Sequence, residues 1–212
     1  MKKLNWVKNL STKDNPNDDK KTPEDLVKNL IPKVPLQKGD FVLDAFAGDK
    51  VWYNNYPPYI TKDWCEIKDD RDFFEYPIKA DWVLTNPPYS QIAPILLHLL
   101  ENCKKGFALL IGQINLSPQR IQTIYNEGFK ISLYHTCNVR GWFGKSVFFI
   151  AERGFPTDYV KFTIDTHYYL MPNEEGEEYA EEQKKYQAKY WKERKSKAKE
   201  IIDNTKNKGG FD

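Results

Sequence analysis

Short apolar runs separated by polar turns set the rhythm of this chain, and their lengths favour strands alternating with helices. Phe41-Val42-Leu43, Trp64-Cys65-Glu66-Ile67, Trp82-Val83-Leu84-Thr85 and Gly106 to Ile111 read as strands, because near-continuous apolar runs suit strands covered on both faces. Pro94 to Cys103 carries Leu96, Leu97, Leu99 and Leu100 at helical spacing. Pro118 to Glu127 reads as another helix, closed by Gly128. Ahead of the first strand, Thr22-Pro23-Glu24-Asp25 has the composition of a helix start, with Thr22 as N-cap and Pro23 at the first helical position. Leu26, Val27, Leu30 and Ile31 give that helix its apolar face, and Pro32 and Pro35 end it. Lys130 to Cys137 and Lys145 to Ala151 are two final strands, and the loop between them is too short for a helical crossover. That pair is therefore expected to be antiparallel.

The pattern predicts an α/β, Rossmann-like domain: a mostly parallel, doubly wound sheet with an antiparallel final strand. Three regions follow. Residues 1–21 form a polar arm, residues 22–158 the domain, and residues 159–212 a charged extension. In the extension, Glu174 to Glu182 is acidic and Lys184 to Lys199 basic, with Tyr179, Tyr186 and Tyr190 at helical spacing, so it is expected to be helical. A length of 212 residues supports one such domain and not two sizeable ones.

Composition narrows the setting. The formal net charge is only +2, so affinity for an acidic polymer has to come from local patches. Cys65, Cys103 and Cys137 have neither metal-type spacing nor an even disulfide framework, and no metal site is expected. With no signal-like start and no membrane-length run, the expected place is intracellular, cytoplasmic or nucleoid-associated, in a cell or encoded by a phage or virus.

The most informative residues are Asn86-Pro87-Pro88-Tyr89, directly after the third strand. Asn-Pro pairs also mark ordinary turns. However, the tetrapeptide places an amide, fixed carbonyl acceptors and an aromatic ring where loops leave a strand's carboxyl end, and ligands of open α/β sheets bind there. Asp44-Ala45-Phe46-Ala47-Gly48 ends the first strand, Glu66 the second, and Asp72-Phe73 follows. The order and spacing of these segments resemble the class I S-adenosylmethionine-dependent methyltransferases, and more narrowly those that methylate adenine N6. The resemblance covers about residues 20 to 151.

The resemblance implies a role for each segment. Asp44, Phe46 and Gly48 would curve under the methionine part of S-adenosylmethionine, Glu66 would take the ribose hydroxyls, and Asp72 and Phe73 the cofactor adenine. Thr22 and Pro23 resemble a motif that flanks the cofactor, and their place ahead of the first strand gives the order of the gamma group of DNA adenine methyltransferases. Asn86, Pro87, Pro88 and Tyr89 would be catalytic, Asn86 also touching the cofactor. Lys50 stands where the family commonly has glycine, and could reach the cofactor carboxylate or narrow its pocket.

The implied reaction is methyl transfer to adenine N6 in DNA. RNA adenine, guanine N2 or a glutamine amide present the same planar amino group, and a non-catalytic nucleic-acid-binding subunit is a reading of another class. DNA is favoured over RNA, and the missing recognition domain leaves room for a partner subunit. Arg140, Trp142, Phe143 and Lys145 combine cations with aromatics in the last hairpin loop, suiting phosphate contact and base stacking. The basic C-terminal stretch either tracks phosphates or is a solvated face. His98, His135 and His167 are assigned no role.

Overall fold

The computed structural model describes residues 21–139, 142, 145–156 and 159–169, with isolated positions between 185 and 196. The strands are β1 (Phe41–Asp44), β2 (Thr61–Trp64), β3 (Ala80–Thr85), β4 (Cys103–Gly112), β5 (Phe129–Val139), β6 (Ser146–Arg153) and β7 (Lys161–Tyr169). The helices are α1 (Glu24–Leu30), α2 (Val51–Asn55), α3 (Ile92–Asn102) and α4 (Pro118–Asn126). All seven strands join one sheet in the order β2-β1-β3-β4-β6-β5-β7.

Side chains alternate across a strand, so the central strands must be apolar on both faces once helices cover both sides. They are. Val42, Leu84, Leu110 and Phe148 pack with Leu26, Leu30 and Trp52 of α1 and α2. Leu43, Val83, Leu109 and Phe149 pack with Ile95 and Leu99 of α3 and Ile124 of α4. The doubly wound α/β architecture expected from the sequence is the one found. Strand β1 pairs in parallel with both β2 and β3, so the winding reverses direction between β1 and β3. Their carboxyl ends, Asp44 and Thr85, flank the cleft such a reversal opens. As expected, β5 and β6 are antiparallel.

Several boundaries differ from the sequence reading. The second strand is Thr61–Trp64 and not 64–67, so Glu66 lies just past its end. An edge strand faces solvent and needs no apolar run, and Lys62 and Asp63 hid it. Helix α1 begins one residue late. Pro23 is its cap residue and no side chain caps it, because the Thr22 hydroxyl is engaged elsewhere. The antiparallel strand is β6, and it is not the last: β7 follows, parallel to β5, inside the region expected to be a helical extension. Its Phe-Thr-Ile-Asp-Thr alternation is a strand signal that the neighbouring charge runs overshadowed. The polar arm, apart from Lys21, and nearly all of the charged C-terminal stretch lie outside the described residues. Among the described residues, no helix is long and apolar enough to cross a membrane.

Among the described glycines, Gly106 of β4 leaves the least room for a side chain. A Cβ there would lie 2.5 Å from the Ala151 carbonyl oxygen and 2.6 Å from the Trp82 ring, which crosses over the glycine. Gly106→Ala is therefore expected to cost roughly 1–3 kcal/mol by overpacking and to lower the thermal midpoint by several degrees. An unchanged midpoint in a melting experiment would contradict this packing.

Candidate active site

A carboxylate at the end of a buried strand must find hydrogen bonds, since burying it bare costs several kcal/mol. Asp44 is wholly buried. Its Oδ1 accepts from the Thr85 hydroxyl at 2.9 Å and its Oδ2 from the Tyr53 N–H at 3.3 Å. The same Thr85 oxygen accepts the Phe46 N–H at 3.2 Å. One hydroxyl thus ties the end of β3 to the acid and the loop of β1. Burial raises the Asp44 carboxyl to about 7, helped by the nearby negative charge of Glu66. The Thr85 hydroxyl and the N–H groups of Tyr53 and Phe46 pull the other way. Next to Thr85, the Leu84 carbonyl accepts the buried Tyr56 hydroxyl at 2.5 Å.

The loop after β1 curls back against β2. The Ala47 N–H donates to the Cys65 carbonyl at 2.9 Å, and the Gly48 N–H donates to Glu66 Oε2 at 2.8 Å. Gly48 has φ +48 and nothing within 4 Å of a Cβ position, an open backbone facing the half-buried Glu66. Lys50 also takes the left-handed conformation, φ 61, as it caps α2. A glycine would adopt this without strain, whereas a lysine costs about 1–2 kcal/mol. Its ammonium sits 3.6 Å from the Trp64 ring centre and 3.5 Å from Asp69.

Asp72 Oδ1 accepts the Phe74 N–H at 2.9 Å and so caps the 3-10 turn Phe73–Glu75. Phe73, expected to offer a stacking face, is a core residue here. It is held between Phe46 at 5.3 Å and His98 at 4.7 Å, both edge-on, and acts by fixing Phe46.

The tetrapeptide leaves β3 directly above Asp44. Asn86 Nδ2 donates to the Thr22 hydroxyl at 3.2 Å, joining segments that are 64 residues apart. Pro87 is buried, and the Pro88 carbonyl accepts the Gln91 N–H at 3.1 Å, opening the turn Tyr89–Gln91. The Tyr89 ring lies against Gly112 at the end of β4, where a Cβ would be 3.5 Å away. Gly112 pairs with Ser146, and the Gln113 N–H donates to the Lys145 carbonyl at 2.9 Å. The exposed Lys145 therefore stands at the same end of the sheet as Tyr89. Trp142 is half-buried against the α1 side of the core, whereas Arg140 and Phe143 lie outside the described residues. Lys21 reaches Asp49 of the first loop at 2.8 Å.

Asp44 and Phe46 thus share the Thr85 hydroxyl, Gly48 bonds to Glu66, and Asn86, next to Thr85 in the chain, bonds to Thr22. Thr85 and Tyr56 were missed by sequence reasoning. For Thr85 there was one signal, a lone hydroxyl residue ending an apolar strand just before Asn86. For Tyr56 there was none.

No protein-family model matches the chain, and no curated protein matches it in sequence. Solved structures do match in fold. A Listeria monocytogenes protein assigned to the class I S-adenosylmethionine-dependent methyltransferases superposes with TM-score 0.54 at 12% identity, over 72% of this chain and 68% of its own. The modification subunit of a protein assigned as a type I restriction enzyme from Vibrio vulnificus gives 0.53 at 11%, over 74% and 48%. The methyltransferase subunit of a Streptococcus thermophilus type I restriction-modification system gives 0.51 at 15%, over 70% and 48%. This chain spans about half the length of those two subunits.

The raised Asp44 carboxyl makes stability depend on pH. An unfolded Asp titrates near 4, so between about 4 and 7 the folded state holds the extra proton. The Asp44 contribution is complete below about pH 4 and is lost as pH rises to about 7. In urea titrations, the stability of Asp44→Asn relative to wild type should climb over that window and then level off. A difference independent of pH would mean that Asp44 titrates normally. In fold, the chain is a class I methyltransferase-like α/β domain.

Proposed function

We propose that this chain is an S-adenosylmethionine-dependent methyltransferase acting on adenine N6 in DNA. The observation that carries the reading is the contact of Asn86 with Thr22, directly above the Asp44–Thr85 pair at the reversal of the sheet. It unites the tetrapeptide with the segments that the resemblance assigns to the cofactor. The donor set fits S-adenosylmethionine: a half-buried carboxylate, Glu66, suits a ribose diol, Asp72 an exocyclic amino group, and the open Gly48 a close backbone approach. S-adenosylmethionine would supply an electrophilic methyl group on its sulfonium.

The chain's own residues position the acceptor. An adenine amino nitrogen is a poor nucleophile because its lone pair is delocalised into the ring. The Asn86 side-chain oxygen and the Pro87 carbonyl accept its two N–H groups and favour a pyramidal nitrogen. Tyr89 stacks on the base, and Asn86 is held in place by Thr22. Positioning and fixed dipoles then supply most of the rate, as in other transfers without a covalent intermediate. A base taken from duplex DNA must first leave the stack, at a cost of a few kcal/mol. Lys145 and Trp142 border the same end of the sheet and suit phosphate and base contact, with Arg140 as a further cation. The restriction-modification neighbours are subunits of larger systems, and a partner subunit belongs to this reading as a contributor to sequence recognition.

Asn86→Ala is expected to lower methyl transfer at least a hundredfold while S-adenosylmethionine affinity, read by calorimetry, stays within about fivefold. Turnover unchanged in that variant would sink the mechanism. No cofactor binding by the wild type would favour a non-catalytic subunit.

A further inference from the structure

Immediately after β4, at the same end of the sheet as the tetrapeptide, the chain makes the 3-10 turn Gln113–Asn115. This turn is firmly held. The Gln113 N–H donates to the Lys145 carbonyl at 2.9 Å, and the Leu116 N–H donates back to the Gln113 carbonyl at 3.3 Å. The Arg120 guanidinium donates to the Asn115 carbonyl at 2.6 Å, and Leu116 packs against the same core as Tyr89. The Asn115 amide and the Tyr89 ring both lie against Gly112, 3.3 and 3.5 Å from where a Cβ would stand. From this fixed turn Ile114 projects into solvent, 87% exposed. A β-branched side chain is stiff at its first torsion, so the bared apolar group is also rigid.

We propose that Ile114 is a wedge that enters a DNA duplex at the place the target adenine has left. The inference rests on the DNA adenine reading of the site and adds the group that keeps the stack open. Apolar side chains inserted between base steps serve this purpose in proteins that unstack DNA. Charge favours a polyanion on this rim. Between Glu101 and Glu152 there is one acidic residue, Glu127, and it stands just before β5 at the opposite end of the sheet. Lys145, whose carbonyl anchors the turn, is exposed, and a cation there suits the phosphates beside a flipped base. Ile114 touches no reacting atom. It is a positioning residue, needed for a base drawn from a duplex and not for one already unstacked.

The test is labelled-methyl transfer to a linear plasmid of mixed sequence, as duplex and after denaturation to single strands. Ile114→Ala is expected to lower kcat/KM on the duplex roughly tenfold or more, and on single strands by no more than about twofold. Ile114→Leu, which keeps an apolar wedge, should stay within about threefold of wild type on both. The thermal midpoint of either variant should be unchanged, since the side chain lies in solvent. Equal losses on duplex and single strands would overturn the wedge and leave the methylation reading standing. So would a duplex rate that Ile114→Ala does not change. A wild type active on single strands alone has no stack to enter, and also overturns it. A wild type that methylates neither form of DNA fails the reading itself, and the wedge with it.

Discussion

Burying the Asp44 carboxylate between the ends of β1 and β3 is the constraint on which the rest of the site depends. No cation among the described residues offsets it, so its charge is met by one hydroxyl and by N–H groups. Thr85 supplies the hydroxyl, and in doing so fixes three things together: the acid, the Phe46 backbone and the strand that delivers Asn86. Tyr56 fixes the same strand one residue earlier through the Leu84 carbonyl. The tetrapeptide is therefore held by a hydrogen-bonded strand end and not by its prolines alone. Thr22 adds a further anchor from a segment that precedes the whole sheet.

The central strands and the tetrapeptide were legible in the sequence because burial on both faces leaves an unbroken apolar run, and Asn86 follows one. The two edge strands were not. β2 and β7 lie at the two ends of the sheet and need no unbroken apolar run: β2 is mostly polar, and β7 alternates beside charged neighbours, so both resemble loops. The site followed the same division. Asp44, Gly48 and Glu66 are of residue types that chemistry needs, and their positions could be read. Thr85 and Tyr56 act through backbone groups of other segments, which no spacing along the chain records. Phe73 was read as a ligand-facing ring, but the three-residue turn capped by Asp72 directs it into the core.

Lys50 shows how a departure from a motif acquires a physical account. The position requires a left-handed backbone, so glycine is the unstrained choice there. Lysine accepts that strain and gains contact with Trp64 and Asp69, a cation–π contact being worth about 0.5–1 kcal/mol at an exposed site. Its ammonium therefore braces the end of β2 from outside, and Glu66 and Gly48 keep their own contact.

The central claim is that the group above Asp44 is a planar amino nitrogen, presented by adenine in DNA. The direct measurement is methyl transfer from labelled S-adenosylmethionine to duplex DNA, single-stranded DNA, RNA and protein in parallel, followed by nucleoside and amino-acid analysis. The account predicts label in N6-methyladenine of a DNA substrate. Label confined to another base, to RNA or to a protein amide would contradict the substrate, and label in none of them would contradict the activity.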